Sequence, residues 1–296
     1  MTMTIQNPPL VLRTGQHLGG AGLVLAGAVS GQFGAAFAAL LFPRAGALGT
    51  VALRVTFAAL LLLAVARPRL RGYSRADWAV AAAFGLALAG MNNLFYLSIS
   101  HIPLGAAVTI EFLGPLLLAV VTSRRPAGLL WAALALAGVG LLGLSGLGQL
   151  NTAGVAFALG AGVMWAAYIV LSARAGARFP RLDGLAIAMT VAALVSFPLG
   201  TVSAGRALAD PPVLLLGLAI AVLSSGVPYA LELLALRRLP AATMAVLTSL
   251  APALGAVAGY LVLGQELSPA QGLAILLVVT ASAGAVRTGR AAGRVA

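Results

Sequence analysis

SHIPLGAAVTIEFLGP, residues Ser100 to Pro115, holds one carboxylate, Glu111, in the middle of an apolar run. The 296-residue chain is 61% hydrophobic and has only six acidic residues, so an acid at that place needs a cause. A second stretch, RRLPAATMAVLTSLAP, Arg237 to Pro252, repeats the outline, with prolines at the same spacing and Thr248 where the first stretch has Glu111.

A mean hydropathy of +1.06 with 8% charged residues lies far from soluble domains, in which about 25% of residues are charged. A hydrocarbon core of about 30 Å takes about 20 apolar residues per helix, which leaves room for roughly ten crossings with short loops. Lipid offers the backbone no hydrogen bonds, so only helices or closed barrels can cross it. Barrel strands alternate polar and apolar residues; segments such as LRVTFAALLLLAVA, Leu53 to Ala66, do not. The expected fold class is therefore an all-α polytopic membrane protein. The net charge of +12 comes entirely from arginines in short clusters between apolar runs. They lack the interleaved aromatics of a single-strand groove, and no nucleic-acid partner is expected. The absence of cysteine removes disulfides and thiolate metal sites, and no metal or cofactor is expected. No cleavable signal peptide is expected in the first seventeen residues.

Breaks at proline, glycine and arginine clusters give ten spans: Leu18–Leu41, Leu48–Ala66, Trp78–Ser100, Pro103–Val121, Gly128–Leu147, Asn151–Leu171, Leu185–Thr201, Val213–Leu236, Ala241–Leu263 and Pro269–Val286. With the N-terminus inside, fifteen arginines fall in cytoplasmic segments and only Arg44 and Arg206 outside, with Arg54 within a span. Positive charge collects on the cytoplasmic side, which places both termini there and favours an even number of spans. Moving the chain by 137 residues brings Pro103 onto Pro240 and Pro115 onto Pro252, and the first five spans onto the last five. Five is odd, so the copies are inverted. Residues 18–147 and 151–286 form the two repeats, flanked by cytoplasmic segments 1–17 and 287–296. Inverted repeats suit transporters, in which a midplane site opens to either side as one half rocks against the other.

The stretches FPRAGALGTVALR, GMNNLFYLSISHIPLGAAVTIEFLGPLLLAVVTSRRP, GAGVMWAAYIV and PYALELLAL resemble the EamA-domain type of the drug/metabolite transporter superfamily. The resemblance runs from about Phe42 to about Ala283 and implies ten helices, two EamA repeats and export of small amino acids against protons across the bacterial cytoplasmic (inner) membrane. Two positions depart from its pattern. Ala251 stands before the proline of the ninth span in place of an acid, and the usual LGE reads LGQE, placing Glu266 one position late.

Glu111 lies near the middle of its span. An ionised acid there costs about 2.5–3.5 kcal/mol on insertion scales, so it should face the bundle interior or water and mark a pathway. It suits a proton carrier; the alternative is a neutral acid bonded to a neighbouring helix. Asn92 and Tyr96, at i and i+4, share a face and suit an ammonium or carboxylate, with interhelical hydrogen bonding as the alternative. Ser225, Tyr229 and Glu232 form a stripe on the eighth span. Glu232 either joins the pathway or snorkels toward Arg237 or Arg238. Pro228 on the same span removes a backbone bond and marks a bend. Arg54 is either an ion-pair partner or the ligand of a substrate carboxylate. Trp165 and Tyr168, at i and i+3, are packing residues or a pocket wall. Gln32, Thr248 and Ser249 are further cavity candidates. The pairs Gly27/Gly31 and Gly255/Gly259 permit close helix contact.

No HExxH, GxSxG or P-loop pattern is present, so an enzyme is not expected. A channel would show charge rings or a carbonyl filter, and neither is visible. The expected partners are a small zwitterionic amino acid, protons and membrane lipid, with another metabolite or a drug as alternative cargo. Because the chain has no cysteine, single thiols report orientation directly. Ser100→Cys should react with an impermeant thiol reagent from outside and Ala127→Cys should not; the reverse pattern would invert the topology.

Overall fold

The computed structural model describes residues 10–123, 126–145, 151–236, 239 and 241–293. Its regular structure is helical throughout: α1 (Leu10–Ala39), α2 (Phe42–Ala66), α3 (Arg75–Ile99), α4 (Leu104–Glu111), α5 (Leu113–Ser123), α6 (Pro126–Ser145), α7 (Thr152–Arg178), α8 (Asp183–Ala204), α9 (Pro211–Ala221), α10 (Val227–Leu236), α11 (Ala241–Thr248), α12 (Ala251–Leu263) and α13 (Pro269–Gly293). A 3-10 turn, Gly205–Ala209, precedes α9, and a π segment, Val222–Gly226, joins α9 to α10. Among the described residues, eight segments are long and apolar enough to cross a membrane, and two shorter apolar stretches, Leu129–Leu142 and Pro269–Ala285, lie within α6 and α13.

The starts of the helices follow from local chemistry. The Ser74 hydroxyl accepts from the Asp77 N–H while the Asp77 carboxylate accepts from the Ser74 N–H, a reciprocal cap of α3. Asn151 caps α7 through the N–H groups of Ala153 and Gly154. Ser268 and Gln271 cap α13 in the same reciprocal way.

The interruptions are caused by proline. Pro115 has no N–H to return to the carbonyl of Glu111, and the helix breaks at Phe112, between α4 and α5. Pro252 does the same to Thr248, and the break falls at Ser249–Leu250, between α11 and α12. The bend expected at Pro228 is a π segment, in which the Val227 N–H returns to the carbonyl of Val222. That pattern would ask Pro228 to donate to the Leu223 carbonyl, which it cannot. The Ser30 hydroxyl of α1 donates to that carbonyl instead, at 2.7 Å.

The densest packing joins α2 to α8, α3 to α7 and α6 to α13, with α1 seated on α10 and α12. Small residues permit these approaches. A Cβ on Gly114 would fall on the Gly162 backbone of α7, one on Gly200 would overlap Ala52, and one on Gly85 would meet the Ala188 carbonyl at 2.6 Å. The expected glycine pairs are contact surfaces too: Gly27 faces Pro228 and Leu231, and Gly255 faces Gln32 and Val108.

The two ends of the bundle are held differently. At the arginine-rich end, the Asp183 carboxylate accepts from the Arg69 N–H and the Tyr73 hydroxyl, the Tyr73 ring packs at a tilt against that of Phe179 with centroids 4.6 Å apart, and Arg178 pairs with Asp77 at 3.1 Å. These contacts clasp the α2–α3 connection to the α7–α8 elbow. At the opposite end the Ser98 hydroxyl donates to the Gly154 carbonyl at 2.8 Å, and the Leu104 N–H donates to the side-chain oxygen of Gln265 at 3.0 Å.

Gly114→Val should destabilise the protein by about 1–3 kcal/mol or more, because the new side chain meets backbone that has no room to move. Gly140→Val, at a position with nothing within 4 Å, should leave the protein folded. Thermal unfolding in detergent compares the two; equal melting would contradict the packing described for Gly114.

Candidate functional site

Helix α2 carries Arg54 into the bundle, where its guanidinium lies 5.0 Å from the centre of the Tyr96 ring on α3. Its Nε is buried and has no hydrogen-bond partner. Tyr96 is 1% exposed and lies 5.9 Å from the rings of both Phe42 and Phe95. The Tyr96 hydroxyl faces Ser224 of the π segment, yet neither oxygen completes a hydrogen bond. Glu111 is the last residue of α4 and is 7% exposed. Its carboxylate makes no ion pair or hydrogen bond with a described residue and lies within electrostatic reach of Arg54. Its carbonyl, deprived of a donor by Pro115, lies against Gly162, where a Cβ would come within 2.7 Å of it. One turn along α7, Trp165 packs edge-on against Phe112 at 4.8 Å. The helix break, the acid and the aromatic are thus fixed by one face of α7.

Beyond this group the bundle opens. Past the π segment α10 packs on α1 rather than on α2. The space left between α2, the α7–α8 elbow and α10 is a cavity of about 380 Å³. Ala58, Leu61, Leu62, Val65, Tyr168 and Glu232 are among its walls. Its inner end is at buried Ala58 and Ser225; Val65 at its mouth is 75% exposed. Ala58 is one helical turn from Arg54, and Ser225 adjoins Ser224, so the cavity stops just short of the interior group.

The expected residues therefore separate. Arg54, Tyr96, Glu111 and Trp165 converge in the interior. Tyr168, whose ring lies 5.3 Å from that of Phe84, and Glu232, exposed on α10, line the cavity. Asn92 donates to the Leu88 carbonyl of its own helix at 2.8 Å, one turn from Tyr96. Its neighbour Asn93 makes the cross-helix contact, donating to the Ser196 hydroxyl of α8 at 2.7 Å. The side chain of Tyr229 lies outside the described residues. Of the further candidates, the Gln32 side-chain oxygen is buried without a partner, whereas Thr248 and Ser249 bond to carbonyls of α11. Sequence reasoning missed Ser224 and Asp183. Ser224 was signalled only by a serine pair shortly before an intrahelical proline, and Asp183 by being one of six acids, placed at a loop.

An interior acid and base without ionic partners among the described residues, in a bundle with a cavity rising from one end, mark a multi-pass membrane transporter. Residues 152–287 match the EamA-like transporter family. The chain is 43% identical over 270 residues to the threonine/homoserine exporter RhtA of Escherichia coli (strain K12), covering 90% of this chain and 91% of that protein. It is 44% identical over 259 residues to RhtA of Salmonella typhimurium (strain SL1344), covering 87% and 88%. A solved crystal structure 22% identical in sequence superposes with a TM-score of 0.60 over 91% of this chain and 98% of its own, and so shares the fold. The chain belongs to the EamA-like transporter family.

Arg54→Lys keeps the charge but loses the planar fork and the stacking face. Transport per folded molecule should fall about tenfold or more if the fork grips a carboxylate. Undiminished transport at equal folded protein would leave Arg54 a packing residue.

Proposed function

We propose that the protein is a secondary transporter that exports small zwitterionic amino acids, threonine and homoserine among them, across the bacterial cytoplasmic membrane in exchange for protons. The cargo follows from the names of the relatives. The observation that carries the mechanism is the pair Glu111 and Arg54, opposite charges in the interior without ionic partners among the described residues. A zwitterion supplies the missing partner of each: its ammonium for Glu111, its carboxylate for Arg54. Tyr96 holds the guanidinium in place from below.

The proposed architecture is ten crossings in two inverted repeats, α1–α6 and α7–α13. The breaks at Phe112 and Ser249 support it, since they are 137 residues apart, the offset that superimposes the prolines. The packing supports it as well. Exchange of the halves turns the α3–α7 contact into that of α1 with α10 and the π segment, α4–α7 into α1–α11 and α5–α7 into α1–α12; α2–α8 and α6–α13 each map onto themselves. The arginine-rich end faces the cytoplasm in this reading, with both termini there. The cavity then opens inward, while the ties at Ser98 and Gln265 close the outer end.

Facing inward, Glu111 releases its proton and its carboxylate pairs with the substrate ammonium. The loaded site turns outward, where reprotonation removes the attraction and the substrate leaves. The protonated site returns. Because proton and ammonium each bind a different charge state of one carboxylate, they exclude one another, and that exclusion is the coupling.

Glu111→Gln imitates the protonated acid. In proteoliposomes it should insert and fold normally and show no substrate-driven proton movement. Proton movement at the wild-type ratio would remove Glu111 from the coupling.

A further inference from the structure

The cavity is a poor match for the cargo proposed for the interior. At about 380 Å³ it falls in the range of about 300–1,000 Å³ that holds drug-sized ligands. Its walls are hydrocarbon from Leu61, Leu62, Val65, Leu182 and Leu185. Glu232 is the only carboxylate, and Lys, Arg and His are absent, among the described lining residues. A zwitterionic amino acid brings two opposite charges and little hydrocarbon. Among the described lining residues there is one carboxylate and a broad apolar surface.

We propose that this cavity is a second binding site, separate from the Glu111–Arg54 interior, for a monovalent amphiphilic organic cation. The hydrocarbon of the ligand fills the space between α2 and α10, and its positive charge sits against Glu232. The carboxylate at the edge of an apolar wall attracts a cation, and a large, weakly hydrated cation gives up little hydration on entering. Tyr168 adds an aromatic face of the kind that favours such cations. The π segment and Pro228 make the space, because they turn α10 onto α1. A ligand wedged there keeps α10 from approaching α2. It therefore blocks transport from the inward opening, without entering the Glu111–Arg54 interior.

The test is equilibrium binding of tetraphenylphosphonium to the full chain in phosphatidylcholine nanodiscs, with empty discs subtracted. The wild type should bind one cation saturably. Glu232→Gln should weaken that binding severalfold, as loss of the carboxylate that faces the cation does. Ala230→Trp, which fills the cavity from an exposed position of α10, should abolish it. Glu111→Gln should bind like the wild type even if it has lost transport, so the outcome is independent of the amino-acid reading. The proposal is overturned if the wild type shows no saturable binding, if Glu232→Gln binds as tightly as the wild type, or if Ala230→Trp retains binding. Binding lost in Glu111→Gln but kept in Glu232→Gln would move the cation into the interior and overturn it as well. Should Glu232→Gln fail to fold, Ala230→Trp decides alone.

Discussion

Hydrocarbon offers no hydrogen bonds, and every polar group carried into the bilayer must find its partner within the protein. Most of this chain obeys that constraint locally. Thr50, Thr109, Thr190, Thr248 and Thr280 each turn their hydroxyl back to the carbonyl four residues earlier. Asn92 does likewise, and Ser30 supplies a carbonyl orphaned by a proline. Against that background the buried Arg54 Nε, the Tyr96 and Ser224 hydroxyls and the isolated Glu111 carboxylate stand apart. They meet in one place, on four different helical segments. Buried atoms of Gln32, Thr56, Asn93 and Ser282 are also unpaired, but only this group brings an acid and a base together, the arrangement that the proposed two-charge ligand would complete.

Two devices bring those segments together. Glycine and alanine let α7 approach the α4–α5 break and let α2 approach α8 until backbones touch. Proline then interrupts the helices where side chains must converge. The break after Glu111 does both, since it ends α4 at the acid and turns the freed carbonyl toward Gly162. The same contact explains why Trp165, one turn from Gly162, sits over Phe112. Geometry of this kind is set by small residues and is easily disturbed by large ones.

Much of this was legible in the sequence. Runs of apolar residues between arginine clusters located the helices, because length and hydropathy decide whether a segment can cross a bilayer. The boundaries at Ala66, Leu236, Leu263 and Pro269 agree with the structure. A lone acid in an apolar span and an arginine in another pointed to the interior pair. The separation of Tyr168 and Glu232 from that pair was not legible. It depends on α10 leaving α2 past the π segment, which is a matter of packing between distant segments, whereas helical spacing reports only on neighbours within one helix. The cross-helix role of Asn93 was not legible for the same reason: its partner, Ser196, is 103 positions away.

Gln265 gives the LGQE departure a physical meaning. Its side chain bonds to the first N–H of α4, and α4 ends at Glu111. The loop after α12 is thus a gauge rod for the depth of the acid. A change of one residue in that loop would move the capping amide away from the start of α4 unless the capping side chain changed its reach. A residue added there, together with an amide of suitable length, leaves the acid at its depth. Loop length and cap identity are therefore coupled variables in this chain.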